Sequence, residues 1–376
     1  MIYLDYSATT PVNKEVLKSF DKVSLEYIGN PNSLHKEGVK AKKLMDAATK
    51  EVASLLKVKE EEVIFTSGAS ESNNLAIMGV IQKYANRGKN IITTKFEHSS
   101  ILSTVNYLKQ NDYTINYVKI LPNGQIDLDN LKSLINKDTV LVSIGEVNSE
   151  IGITQDINKI GKLLKEYPRV IFHVDGTQAV GKKHLDLSYV DLYSFSAHKI
   201  YGLKGVGVLI KKENITLEPL IHGGKSQTIY RAGTPPLALI VSCAKALRLV
   251  MEDLDSHLLK VERLRKSLIR GLKKIPGVMI NSNEYAIPHI VNISVLNVKP
   301  ETLLHALEED DIYISTKTAC SQEDAISLSV YTLTNDVERA KSSIRISLSH
   351  LTKMSDIKFF LAKLQEKIQK LQSIRK

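Results

Sequence analysis

Val170-Ile171-Phe172-His173-Val174-Asp175, read with Val190-Asp191-Leu192-Tyr193 and the stretch Ser194-Phe195-Ser196-Ala197-His198-Lys199-Ile200-Tyr201-Gly202 that follows it, decides how this chain folds. The first run is almost wholly β-branched and aromatic and ends in a carboxylate, the pattern of a strand buried on both faces. The second reads as a neighbouring strand, and the polar stretch as the turn that closes it, ahead of the glycine-spaced run from Gly202 to Gly207. In open α/β sheets, ligands sit beyond the carboxyl ends of the strands. Asp175 and Lys199 are therefore expected at that edge, each at a strand end.

The same texture continues on both sides. Strand-like runs at residues 62–66, 90–94, 139–144 and 205–210 alternate with helical patterns, which predicts an α/β fold with a mostly parallel sheet covered by helices. Beyond about residue 255 the pattern changes to a charged amphipathic helix over 258–274, closed by Pro276-Gly277, then strands over 289–295 and 343–348. A last helix is expected with Ser355 as its N-cap and Ile357, Phe360, Leu361, Leu364, Ile368 and Leu371 on one core-facing side. The expected organisation is a large domain over residues 13–255 and a smaller α+β domain made of residues 1–12 and 256–376.

Composition narrows the class. With 376 residues, 43% hydrophobic and 24% charged, the chain reads as a folded globular protein and not a disordered or fibrous one. Two cysteines make no disulfide framework and fit a reducing compartment. No run reaches the ~20 apolar residues of a membrane helix, and Met1-Ile2-Tyr3-Leu4-Asp5-Tyr6 lacks the basic start of a signal peptide, so a cytoplasmic location is expected. The net charge of +10 comes from scattered lysines without interleaved aromatic blocks. Direct nucleic-acid binding is not expected from that pattern, which suits solubility or docking to an acidic protein.

Chemistry-bearing residues follow the strand ends. A lysine able to form an imine, beside a carboxylate able to keep a pyridine nitrogen protonated, is the minimum equipment for pyridoxal 5'-phosphate; a surface lysine and a capping aspartate are the plain alternative. Ser67-Gly68-Ala69-Ser70, between the strand ending at Thr66 and a helix starting near Glu71, offers N–H groups and a hydroxyl to a phosphate, though Ser70 is equally a routine N-cap. Ser196 and His198 could add donors, and His222-Gly223-Gly224 with Arg231-Ala232-Gly233-Thr234-Pro235 forms a second polar, glycine-rich stretch within possible reach. His98, at a helix start, suits ring stacking and proton movement or a structural role, and Gln178 suits a donor to a ring oxygen or an ordinary first-turn position. Arg345 in Ser343-Ile344-Arg345-Ile346-Ser347 is a charge in an alternating strand, matching a carboxylate clamp or an internal salt bridge. Cys320 lies in the polar stretch Thr316-Lys317-Thr318-Ala319-Cys320-Ser321-Gln322-Glu323-Asp324 and reads as a reactive thiol on a flexible loop, whereas Cys243 sits in an apolar periodic segment.

Taken together and in order, Tyr3-Leu4-Asp5-Tyr6-Ser7-Ala8-Thr9-Thr10, Ser67-Gly68-Ala69-Ser70-Glu71-Ser72, Glu97-His98, Asp175 with Gln178, Ser196 through Lys199, and Thr318-Ala319-Cys320 resemble the pyridoxal-phosphate-dependent cysteine desulfurases of the class V aminotransferase family. The resemblance covers nearly the whole chain and implies the type I fold of that cofactor. It implies Lys199 as the imine lysine, Asp175 as partner of the ring nitrogen, His98 as the stacking acid–base residue and Gln178 as a contact to the ring hydroxyl. Ala69, Ser70, Ser196 and His198 would hold the phosphate, with Thr234 reaching across a homodimer. Arg345 would bind the substrate carboxylate and Cys320, on a loop of the long type, would accept sulfur from L-cysteine, leaving L-alanine and a persulfide. The sulfur would pass to an acceptor protein, an iron–sulfur scaffold or a transfer-RNA sulfurtransferase.

Two departures stand out. Asn148-Ser149-Glu150-Ile151-Gly152 carries Ser149 where many relatives have asparagine, so a shorter hydroxyl replaces a cofactor-facing amide. Lys317-Thr318 stand where a glycine–serine pair is common. Alternative readings are another class V lyase or aminotransferase, such as selenocysteine lyase, in which Cys320 is dispensable, or a sulfur-relay or scaffold-binding protein of weak catalysis.

Overall fold

The computed structural model describes residues 1–316 and 326–373. A short first strand, β1 (Ile2–Tyr3), leads to α1 (Lys14–Glu26) and α2 (Lys36–Leu56). Both helices start on side-chain caps, Asn13 accepting from the Glu15 N–H and His35 from the Gly38 N–H.

Seven strands then build the main sheet: β2 (Val63–Thr66), β3 (Asn90–Thr93), β4 (Thr114–Tyr117), β5 (Thr139–Gly145), β6 (Ile171–Asp175), β7 (Leu192–Ser196) and β8 (Gly207–Lys211). Their order is β2-β8-β7-β6-β5-β3-β4, and β8 runs against its neighbours while the others are parallel. Every residue of β6 and β7 is buried, because helices cover both faces and alternate side chains enter different cores. Phe172 and Val174 join a core with α1, α2, α6 (Ile157–Leu164) and α7 (Leu237–Glu252). Ile171 and Leu192 face α3 (Ala69–Lys83) and α4 (Ser99–Gln110) on the opposite side. The short α5 (Leu128–Leu134) precedes β5.

A second sheet is antiparallel, with β9 (Val278–Ile280) and β12 (Ser343–Ser347) flanking β10 (Ile290–Val295). Strand β1 pairs in parallel with β11 (Ile312–Tyr313) beside it. These strands share a separate core with α8 (Leu254–Leu272), α9 (Pro300–Glu308) and α12 (Met354–Ser373), in which Leu4, Val261, Val291, Ile344 and Phe360 meet. Two short helices, α10 (Leu328–Thr334) and α11 (Val337–Lys341), lie between β11 and β12 in the chain.

Several local expectations need correction. Ser194, Phe195 and Ser196 belong to β7 and not to a turn; Ser194 is held inside the sheet by a 3.0 Å contact between its Oγ and His173 Nε2. Strand β4 escaped detection because Thr114-Ile115-Asn116-Tyr117 is a polar edge strand with partial burial. Helix α12 begins at Met354, so Ser355 lies in its first turn, and the Asp356 carboxylate accepts from the Lys353 N–H at 2.8 Å. Helix α3 begins at Ala69 behind Gly68, which leaves Ser70 in the first turn and not at the cap.

Candidate active site

A cavity of about 670 Å³ opens at the carboxyl edge of the main sheet. Strand β2 delivers the turn from Ser67 to Ser70, β3 is followed by Glu97 and His98, β5 by Val147 and Ser149, β6 ends in Asp175, and β7 ends in Ser196 just before Lys199. The parallel ladder therefore places residues distant in sequence along one rim. The second sheet closes the far wall with Arg345, and the segment after β1 adds Asp5, Ser7 and Ala8.

Lys199 ends a single 3₁₀ turn, Ala197–Lys199. Its Nζ donates to the carbonyls of Ser7 and Ala8, each at 2.6 Å. The same N-terminal segment straps the turn from outside. Thr10 donates through N and Oγ1 to the His198 carbonyl at 3.0 and 2.9 Å, and His198 Nδ1 meets Thr9 Oγ1 at 3.1 Å. Burial, reinforced by the Arg345 charge, lowers the Lys199 pKa to about 8 against the opposing pull of Asp5 and Asp175. About a tenth of the amine is thus free base at pH 7, far more than for an ordinary lysine.

Asp175 is oriented by two donors, Asn73 Nδ2 at 2.9 Å and the Thr177 N–H at 2.9 Å. His98 is the N-cap of α4. Its Nδ1 accepts from the Ser100 N–H at 3.1 Å, which leaves the proton of the neutral ring on Nε2. The ring lies open to the cavity on one side yet crowded by protein on the other, and that desolvation lowers its pKa. Beside it Glu97 is fully buried with its pKa pushed up to about 8, chiefly by desolvation, while Thr94 Oγ1 donates to it at 2.6 Å.

The rim suits pyridoxal phosphate. Helix α3 has no side-chain cap, so its first N–H groups point unpaired into the cavity wall at the positive end of a 15-residue helix. Gly207 of β8 allows the 67–70 turn to descend onto the sheet: a Cβ there would lie 2.6 Å from Gly68 Cα. Ser196 is 3% exposed, and its Oγ lies 3.7 Å from where a Cβ on Gly68 would stand, so this buried hydroxyl meets the same turn. An uncapped helix start able to take a phosphate, a carboxylate and a lysine of lowered pKa thus line one cavity.

Arg345 lies mid-strand and is 5% exposed. Its Nη2 pairs with Asp5 at 2.8 Å and its Nη1 donates to the Ser149 carbonyl at 3.0 Å, so the internal salt bridge is present while the side chain still lines the cavity. Ser149 contributes this backbone oxygen. Gln178, 4% exposed, donates through Nε2 to the Ser7 carbonyl at 3.0 Å. Thr234, His222 and Gly223 are exposed and stand outside the cavity lining; Arg231 bonds Glu71 of α3 at 3.0 Å. Cys320 lies outside the described residues. Sequence reasoning gave no individual roles to Asp5, Ser7, Ala8 and Asn73. The first three sit within a quoted motif, but only folding brings that segment to Lys199; Asn73, an amide in the first turns of a helix next to a predicted ligand loop, carried a weak signal.

Comparison with known proteins places nearly the whole chain in one family. The family model for class-V aminotransferases matches residues 2–360. The cysteine desulfurase IscS of Methylobacillus flagellatus is 40% identical over 381 residues, covering 99% of this chain and 93% of that protein. The protein of the same name from Buchnera aphidicola, pea-aphid strain 5A, is 41% identical over 382 residues, covering 99% and 94%. Among solved structures, a NifS-like protein superposes with a TM-score of 0.92 at 34% identity, covering 98% of this chain and 99% of that one. SspA in complex with cysteine gives 0.82 at 29%, covering 94% and 100%.

Proposed function

This chain belongs to the class-V aminotransferase family, within its cysteine desulfurases, and from that premise we propose that it converts L-cysteine to L-alanine while moving the sulfur onto its own Cys320 thiol. Its cofactor is pyridoxal 5'-phosphate. The observation that carries the site assignment is the meeting of Lys199, Asp175 and the uncapped start of α3 on one cavity.

When bound, the cofactor holds the substrate amine and takes up the electrons left as the Cα proton departs. Lys199 is the covalent anchor and the group that moves that proton, a task suited to an amine whose pKa is brought down to about 8. Asp175 would keep a proton on the ring nitrogen, and Gln178 would donate to the ring hydroxyl. His98, with its proton on Nε2, would stack against the ring and serve as an acid. Ala69, Ser70, Ser196 and His198 would hold the phosphate, joined by Thr234 from a second copy, with Ser149 near the ring. Arg345 takes the substrate carboxylate on its planar fork. The Cys320 thiolate attacks the substrate sulfur: an S–S bond forms as the Cβ–S bond breaks, and the three-carbon remainder is reprotonated to alanine.

A homodimer is supported by apolar side chains left open to solvent, Leu25, Ile28 and Leu34 at 79%, 82% and 96% exposure. The separate cores support a large domain over 13–255 and a small one over 1–12 and 256–376. The acceptor is a protein, an iron–sulfur scaffold or a transfer-RNA sulfurtransferase, for which a chain of net charge +10 suits an acidic face. No helix among the described residues is long and apolar enough to cross a membrane. Cys320→Ser tests the reading: the variant should still take up L-cysteine, seen as a shift in cofactor absorbance, while alanine release falls to near background and labelled sulfur no longer attaches. Alanine release at the wild-type rate would replace this reading with that of a lyase.

A further inference from the structure

The turn after β6 buries a second lysine, and it does so because of how that turn is built. Gly181 has a φ of +68°, and a Cβ on it would lie 2.7 Å from Val250 of α7, so the turn presses onto α7 as no other residue would allow. The next residue, Lys182, is then only 7% exposed. Its Nζ makes a 2.6 Å hydrogen bond to Gln178 Oε1, and no acid pairs with it among the described residues. An unpaired ammonium so placed needs a strong acceptor, and the Gln178 carbonyl oxygen is the one it has.

A glutamine amide can face either way, and its two ends do opposite things. Here Lys182 Nζ donates to Oε1, which turns that end towards Lys182 and the Nε2 end towards the cavity and the Ser7 carbonyl; when Lys182 is protonated it has no lone pair and can only donate. That carbonyl also accepts from Lys199 Nζ at 2.6 Å. One continuous chain therefore runs from Lys182 through Gln178 and Ser7 to Lys199. We infer that Lys182 is a positioning residue of this enzyme, which holds Gln178 with its N–H groups towards the cofactor's ring oxygen and thereby fixes the donor that this oxygen meets. The inference rests on the cofactor reading given above. The charged or titratable neighbours of Lys182 are Lys199, Arg345, His198 and His289, and burial foremost, then the first two, lowers its pKa to about 7.

The test uses the apoenzyme refilled with pyridoxal phosphate. Lys182→Met, Lys182→Arg, Gln178→Ala and the Lys182→Met/Gln178→Ala double variant are compared for cofactor dissociation constant and for the pH midpoint at which bound-cofactor absorbance changes. Lys182→Met should bind cofactor about tenfold more weakly, and its midpoint should rise by about one pH unit, because a donor to the ring oxygen and a nearby positive charge are both lost. Lys182→Arg should restore both quantities to within about threefold. On the Gln178→Ala background, Lys182→Met should add little further, the non-additivity of two residues acting in one chain. Wild-type affinity and midpoint in Lys182→Met, or the same full loss on both backgrounds, overturns the proposal. Should Lys182→Met fail to fold, Gln178→Glu takes its place: it keeps an oxygen for Lys182 but offers no N–H to the cavity, and wild-type values there are equally fatal. Borohydride reduction with peptide mapping locates the cofactor in each variant. Cofactor on a lysine other than Lys199 overturns the cofactor reading itself, whereas cofactor on Lys199 with unchanged constants overturns only the role of Lys182.

Discussion

From the seven-stranded sheet the cavity takes residues at or just beyond the strand ends, Ser67 to Ser70, His98, Asp175 and Lys199; from the three-stranded sheet it takes Arg345, in the middle of β12. At a strand end the ladder stops, so backbone groups are free for a ligand and turns can aim side chains inward. Mid-strand, Arg345 is held by register between Asn292 on one side and the backbone of Ser315 on the other, and its guanidinium is further tied to Asp5 and Ser149. The large sheet thus supplies groups placed at strand ends and in turns, and the small sheet supplies a guanidinium placed by its ladder. On the function proposed above, changing a residue of the large sheet should remove chemistry, and changing Arg345 should remove binding.

The largest effect is expected at the large sheet. Asp175→Ala should retain part of the cofactor yet lose turnover on the order of 10²–10⁴-fold, as for loss of an acid–base partner. Near-normal steady-state activity would take Asp175 out of the mechanism. At the small sheet, Arg345→Lys should cost about 1.5–3 kcal/mol of substrate binding, roughly ten- to a hundredfold in the apparent affinity for L-cysteine, with cofactor affinity little changed. An unchanged titration with cysteine would make Arg345 only the salt-bridge partner of Asp5.

A smaller effect joins the two regions. Because the Arg345 charge helps to lower the Lys199 pKa to about 8, covalent reconstitution of the apoenzyme should speed up as pH rises towards 8 and then level off. The sign follows from the amine, which attacks an aldehyde only when unprotonated. Arg345→Gln removes a neighbouring cation and leaves Asp5 unopposed, both of which favour protonated Lys199, so the rise should move up by about one pH unit. Arg345→Lys keeps the charge and should leave it in place; equal pH profiles for the Gln and Lys variants would disconnect the two regions. The smallest effect on function should come from the fully buried thiol of α7, whose pKa burial raises to about 12. Cys243→Ser should lower unfolding stability by ~1–3 kcal/mol, measured by denaturant titration, with activity of the folded fraction intact.

Strands β6 and β12 were legible because burial leaves a continuous or alternating apolar record, and Asp175, Lys199 and Arg345 could be picked out as exceptions to it. Strand β4 left no such record, being half-exposed at an edge. Ser194 and Ser196 looked like turn residues because a local pattern does not show that His173 or a ligand rim will satisfy their hydroxyls inside a sheet. The start of α3 was placed too late for a related reason: Gly68 caps without a side-chain bond, so no local chemistry marks the boundary.

By itself the amino-acid sequence determined the class of fold, the family and the identity of the chemical groups, since periodicity, glycine-bearing turns and motif order are all local along the chain. Only the tertiary structure decided which groups share a wall: that the carbonyls of Ser7 and Ala8 hold Lys199, that Asp5 occupies part of the Arg345 fork, and that a buried Lys182 sets the face of Gln178. These contacts join residues far apart in sequence. They depend on the register of two sheets and on desolvation, which exist only once the chain has folded.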